Sequence, residues 1–340
     1  MTRIASGAHL VARPIEAERA AERVGGLLDH SLLSRASLPL LVLLAALPAV
    51  AGAFNETFYV GVASRILIFA LAATSLNLIL GFGGMVSFGH AAFVGIGAYA
   101  VGILMNAGVA TAWIAWPVAM LASALFALLI GAVSLRTKGV YFIMITLAFA
   151  QMLYYLMVSL KAYGGEDGLS LSARSSLGLG LDLGSEATFY YVVLLLVMAT
   201  IVVVQRLLNA RFGHALQAIR ENEARMAAIG FPVYRHKLIA FTVAGAMAGL
   251  AGALLANQSG FVSPALLQWS QSGMLMIMVI LGGVGQLYGG VAGAVVFLLL
   301  EEVLAARTIH WQFGLGAALL AVVLLAPNGL MGLRRKRGAQ

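Results

Sequence analysis

The side chains able to do chemistry in this 340-residue chain are few and scattered. It has no cysteine, so disulfides, thiolate metal sites and cysteine nucleophiles are excluded together. Six histidines stand far apart, and no H-E-x-x-H or G-x-S-x-G pattern gathers one into a zinc or hydrolase site. No lysine follows a glycine, which removes the phosphate-binding G-x-x-x-x-G-K-[ST] loop and argues against nucleotide hydrolysis within the chain. Glu301 and Glu302 fall near the end of an apolar run. A proton relay needs an acid nearer mid-membrane, so snorkelling or pairing with Arg307 is the expectation for both. Asn77 and Gln151 are expected to hydrogen-bond between helices. The chain is not read as an enzyme, and no metal or resident cofactor is expected.

Three interruptions of the apolar pattern remain. Gly81–His90 reads GFGGMVSFGH and Gly282–Gly290 reads GGVGQLYGG, with Gly83 and Gly89 spaced as are Gly283 and Gly289. Unwound backbone at membrane depth must line a cavity or be buried in protein. Paired breaks in an inverted repeat point to a transporter's pathway. The candidate pathway residues are therefore Gly83, Gly84, Ser87, Gly89, His90, Gly282, Gly283, Gly285 and Gln286. Close helix packing is the alternative for any single glycine, and capping of local backbone is the alternative for His90. The third interruption, Arg211–Pro232, is too polar to span. Phe212, Leu216, Ile219 and Met226 form one apolar stripe on a helix, stopped at Gly230 and Pro232. Such a helix lies flat on the membrane or docks into a partner's groove.

The elements that must position these segments follow from composition. Hydrophobic residues make up 61% and charged residues 10%, against about 25% charged in soluble domains. The chain is thus an all-α polytopic membrane protein. Runs of roughly 20 apolar residues predict ten spans, at about 38–54, 66–81, 91–107, 113–134, 140–159, 189–207, 238–256, 273–288, 290–306 and 312–327. Seventeen of the 21 lysines and arginines fall in 1–37, 135–139, 206–237 and 328–340. The positive-inside rule therefore places both termini in the cytoplasm. The same rule accounts for the +8 net charge without nucleic acid. Leu38–Leu47 with Ala49-Val50-Ala51 imitates a signal peptide, but the long preceding tail favours a retained span. Spans two to five and seven to ten lie five crossings apart and so form an inverted repeat, each break read as following the first helix of its set. The chain divides into a tail (1–37), a permease domain (38–330) enclosing a cytoplasmic loop (208–236), and a basic tail (331–340).

Arg211-Phe-Gly-His-Ala-Leu-Gln-Ala-Ile-Arg-Glu-Asn-Glu with Ala228-Ile-Gly resembles the cytoplasmic loop of LivM-type permeases of branched-chain amino acid ABC transporters. Leu76–Tyr99, Lys138–Ala148, Gly164–Gly168 and Leu281–Gly293 are similar to that family too, so the likeness covers about 38–330. It implies that Gly213–Gly230 form a coupling helix against an ATPase subunit, carried by Gly213, Ala215, Leu216, Ala218, Ile219, Arg220, Glu221, Asn222 and Gly230. The apolar stripe would fill the ATPase groove, and Arg220 and Glu221 would orient it. The resemblance further implies a bacterial inner-membrane importer with a LivH-like second permease, two ATPases that bind the ATP, and a periplasmic binding protein. The loop Tyr163–Thr188, with Glu166, Asp167, Asp182 and Glu186, would meet that binding protein or act as a tether. Related permeases carry urea or short amides, and an ion-coupled secondary transporter is the rival class. No charged clamp for an amino acid's carboxylate and ammonium groups is visible in the sequence.

Overall fold

The structure is a computed structural model and describes Leu44, Pro48 and residues 57–178, 182–325 and 329–331. The N-terminal tail, nearly all of the expected first span and all but Met331 of the basic tail lie outside these residues. From the first span, the Leu44 carbonyl accepts a hydrogen bond from Tyr190 Oη at 2.8 Å.

Apolar runs bounded by glycine, proline and polar residues form the helices. These are α1 (Thr57–Asn77), α2 (His90–Asn106), α3 (Ala112–Ser134), α4 (Val140–Ser159), α5 (Glu186–Asn209), α6 (Arg211–Glu221), α7 (Glu223–Ala228), α8 (Val233–Ser259), α9 (Trp269–Gly282), α10 (Gly289–Ala305) and α11 (Trp311–Leu325). Five stretches are long and apolar enough to cross a membrane: Phe58–Phe82, α3, α4, α5 and α8. Shorter apolar helices accompany them.

Three boundaries depart from expectation. The second span begins at Thr57, because Arg65 interrupts the apolar run without breaking the helix. It ends in a π-helical turn, Leu78–Phe82, all of it buried. The eighth span stops at Gly282 rather than near 288, because Gly283 (φ 123) and Gly285 (φ 75) adopt backbone conformations open mainly to glycine. The second break therefore follows α9, the second helix of its four-helix set, and not the first, which is α8. The two breaks do not occupy equivalent places in the two sets.

α8 is the central helix, packed on α2 and α3 through small residues. A Cβ at Gly252 would strike the Val94 carbonyl, one at Gly97 the Gly249 backbone, and one at Gly249 the Ser123 side chain. Such faces let backbones approach closely where lipid supplies no hydrophobic drive. The opposite surfaces of α3 and α4 leave Leu121, Leu125, Tyr141, Met144 and Tyr155 exposed, as helices facing lipid or another subunit do.

The connections gather at two ends. At one, called here the loop end, Gly84 meets Arg220 and Gly285 meets Gly81, and Glu223 pairs with Lys138 and Lys237. At the far end, β1 (Leu169–Ser170) pairs antiparallel with β2 (Phe261–Val262), and Thr111 bridges to Ser176.

Candidate functional site

At the loop end, the two glycine-rich breaks close on each other around two side chains. Asn77, in the last turn of α1, donates through Nδ2 to the Gln286 carbonyl at 2.7 Å. Its Oδ1 accepts from the Gly285 N–H at 3.0 Å. One amide thus satisfies both polarities of a turn that has left the helical ladder. The approach is close enough that a Cβ at Gly81 would collide with Asn77 Oδ1 and the Gly285 nitrogen. A Cβ at Gly282 or Gly293 would likewise strike carbonyls of the α9–α10 pair, and one at Gly290 would come 2.7 Å from the Thr74 nitrogen.

The second side chain is Arg220, from the last turn of α6. Its Nη1 donates to the Gly81 carbonyl. Its Cγ lies 3.0 Å from where a Cβ at Gly84 would stand, and Nη1 lies 3.0 Å from the same position on Gly285. One guanidinium therefore bridges the polar loop and both breaks. Arg220 is still exposed at the rim, so the bond adds a contact to this chain's own backbone without burying the guanidinium.

The stripe on α6 turns inward as well. Leu216 is 0% and Ile219 1% exposed, and Gly213 sits so close to the end of α5 that a Cβ would strike the Leu207 and Leu208 carbonyls. The stripe is filled by this chain and is closed to a partner's groove. The helix is also not continuous to Gly230. Asn222 leaves the helical region (φ −155, ψ 95) and caps α7, its side chain accepting from the Arg225 N–H. Asparagine is a favoured N-cap, so the break has a local cause. Met226 consequently falls off the α6 face. Glu221, Asn222, Ile229 and Gly230 remain exposed, while Ala218 is half-buried.

α7 is tied down by charge. Glu223 pairs with Lys237 at 2.7 Å and Lys138 at 3.0 Å. Burial pushes its carboxyl up, but the hydrogen bonds and charges of Lys237 and Lys138 outweigh that and hold it below its ordinary value. His236 packs between Phe212 (5.5 Å, stacked) and Phe231 (4.9 Å).

The remaining pathway candidates do not join this cluster. His90 is fully buried and meets the Ser75 hydroxyl at 2.8 Å. Ser75 Oγ also lies 2.7 Å from the Ala72 carbonyl, and His90 Nδ1 is buried without a partner. The imidazole therefore neither caps backbone nor faces open space. Ser87 is also buried, and its hydroxyl accepts from the Gly89 N–H at 3.3 Å. Gly89 packs against Thr146 so closely that a Cβ would meet the Thr146 carbonyl at 2.5 Å. Gly81 and Asn77 are thus parts of the site absent from the candidate set.

At the far end, Arg174 pins the loop 163–188. It donates to the Asn257 carbonyl at 3.1 Å, the Leu183 carbonyl at 3.0 Å and the Glu186 carboxylate, with its guanidinium 4.6 Å over the Phe189 ring. Ser175 N–H donates to Asn257 Oδ1 at 2.6 Å. A free tether is excluded for this part of the loop. Glu301 pairs with Arg65 at 3.5 Å, correcting the expected partner Arg307. Among the described residues, no group of three or more His, Cys, Asp or Glu could hold a metal ion.

Residues 58–326 match the family of branched-chain amino acid transport system permease components. The high-affinity branched-chain amino acid transport permease proteins LivM of Salmonella typhimurium and Escherichia coli are each 29% identical over 299 residues, covering 81% of this chain and 70% of theirs. The autoinducer 2 import system permease LsrC of an Enterobacter species is 29% identical over 269 residues, 72% of each chain. No solved structure matches.

Proposed function

This chain belongs to the family of permease components of branched-chain amino acid transport systems, and from that premise we propose that it is the membrane permease subunit of an ABC importer for leucine, isoleucine and valine. In this reading the chain crosses the bacterial plasma membrane ten times with both termini cytoplasmic, within an inverted repeat. The loop end is the cytoplasmic end. A periplasmic binding protein delivers substrate, a LivH-like permease forms the other wall of the pathway, and two ATPase subunits bind the ATP and dock on the cytoplasmic loop.

The observation that carries the mechanism is the Arg220–Gly81 bond. An ATPase that grips the exposed rim of α6 and α7, at Glu221, Asn222, Ile229 and Gly230, moves α6 as a body. Leu216 and Ile219 fix α6 to the bundle, and Arg220 delivers the displacement to the point where both breaks meet. Packed backbones of this kind switch between discrete arrangements rather than deform smoothly. A small shift at the loop would thereby open or close the inner mouth of the pathway.

A second reading, import of autoinducer 2, is favoured by the LsrC relative, which matches 72% of this chain. Urea or short amides form a third. Reconstitution with the second permease, both ATPases and the binding protein separates them: ATP-dependent uptake of labelled leucine is expected, and uptake of autoinducer 2 or urea in its place would overturn the substrate assignment. Topology is checked by single cysteines at Ser172 and Asn222, both exposed. An impermeant maleimide added outside is expected to label the first only. Labelling of both from one side would contradict the ten-span arrangement.

A further inference from the structure

We propose that the far end of the bundle carries a binding subsite for an amino-acid zwitterion, with Arg65 facing the carboxylate and Glu302 the ammonium group; the assignment rests on the transport reading above. An open cleft of about 490 Å³ lies there, lined by Phe58, Val62, Arg65 and Glu302 and walled by Arg174, Glu186 and Gln258. Its volume falls in the range of small-molecule sites.

The wall groups are already engaged. Arg174 is committed to Glu186 and two carbonyls, and Gln258 donates to the Gly61 carbonyl at 3.1 Å. Glu302 is not, and Arg65 is engaged on one side only, by Glu301 and the Phe69 ring. The only ion-pair contact of Arg65 among the described residues is to Glu301 at 3.5 Å, and 42% of its side chain is exposed. Glu302 makes no hydrogen bond or ion pair among those residues, and beside it Glu301 Oε2 is buried without a partner. Ionisable groups within apolar helices are costly and mark substrate paths when left available.

Charge balance selects the ligand class. A simple anion would face Glu302 and a simple cation would face Arg65. A molecule carrying both charges on groups attached to one carbon offers a partner to each, and guanidinium is suited to bidentate carboxylate binding. Phe58, Val62 and Arg65 follow i, i+4, i+7 on α1 and so share one face. They place an apolar surface beside the guanidinium, as a branched aliphatic side chain requires. The cluster has no local sequence signal, since Arg65 and Glu301 are 236 positions apart.

The test is labelled L-leucine uptake by the full reconstituted complex. Arg65→Gln and Glu302→Gln are each expected to lower uptake by about tenfold, with ATPase subunits still bound. Arg65→Lys, which keeps the charge but loses the bidentate fork, should fall between wild type and Arg65→Gln, and Arg307→Gln, an exposed arginine beyond α10, should be silent. An Arg65→Gln/Glu302→Gln double variant importing at the wild-type rate would overturn the subsite. So would an assembled Arg65→Lys complex as inactive as Arg65→Gln, which would make the arginine a structural strut. A wild-type complex that imports no branched-chain amino acid would instead sink the transport reading, and the subsite with it.

Discussion

At the loop end backbone lies against backbone: Gly81 on Gly285, Gly282 on Gly289, Gly290 on Thr74, with no room for a Cβ at any of them. At the far end Gly168 also lies against the Val262 carbonyl, but side chains span the larger gaps, with Arg174 reaching three acceptors and an open cleft left between α1, α5, α8 and α10. The first kind of contact tolerates little displacement without repacking, and the second leaves space for a ligand. On the proposed function, the difference is a division of labour, in which force enters at the tight end and substrate at the open one.

The sharpest way to break this contrast is to add the same atoms at both ends. Gly81→Ala has nowhere to put its Cβ, and the folded permease is expected to be lost, read as a missing monodisperse peak in detergent. Gly108→Ala and Gly178→Ala, at far-end turns with nothing within 4 Å, carry only left-handed strain of about 1–2 kcal/mol. Both should remain folded. Equal tolerance at Gly81 and Gly108 would remove the distinction.

Leu216→Asp is expected to act nearly as severely. It buries a carboxylate in a site that is 0% exposed, a desolvation that unpaired charges rarely survive. Yield and melting temperature should fall before any partner is added. Normal stability with impaired ATPase binding would return the stripe to the partner's groove.

Asn77→Ala should cost less. It leaves the Gly285 N–H and the Gln286 carbonyl without their partner, roughly 1–3 kcal/mol for such a group, read as a lower melting temperature with assembly retained. Smallest of all is Glu223→Gln, because Lys138 is largely exposed and exposed ion pairs contribute little. Its effect has a definite sign with pH. The folded-state carboxyl lies below its ordinary value of 4.5, so its contribution is present above that value and is lost as pH falls through the lower folded value. Wild type and Glu223→Gln should therefore differ most near neutrality and converge in acid.

Much of the architecture was legible because lipid imposes it. Long apolar runs separated by polar loops have few alternatives, and glycine clusters mark where a helix stops. The errors arose where a side chain's partner is distant. Arg220 and Glu221 are adjacent, equally polar in the sequence and both exposed, yet it is Arg220 that reaches the Gly81 carbonyl, 139 positions away. The apolar period of α6 identified a buried face without saying which chain buries it. Asn222 read as a helix residue, although its cap preference was a local signal for the break. Asn77 is expected to hydrogen-bond between helices; it bonds instead to the non-helical turn at Gly285 and Gln286, and nothing local named that turn as its target.

The central claim, that Arg220 transmits the motion of α6 to the junction of the two breaks, is tested most directly by paired variants in the reconstituted complex. The account predicts that Glu221→Ala weakens ATPase co-purification, by about tenfold or more for a lost charged hydrogen bond. Arg220→Ala should keep the ATPases bound and hydrolysing ATP while leucine uptake collapses. Uptake by Arg220→Ala that stays in proportion to its ATP hydrolysis would contradict it.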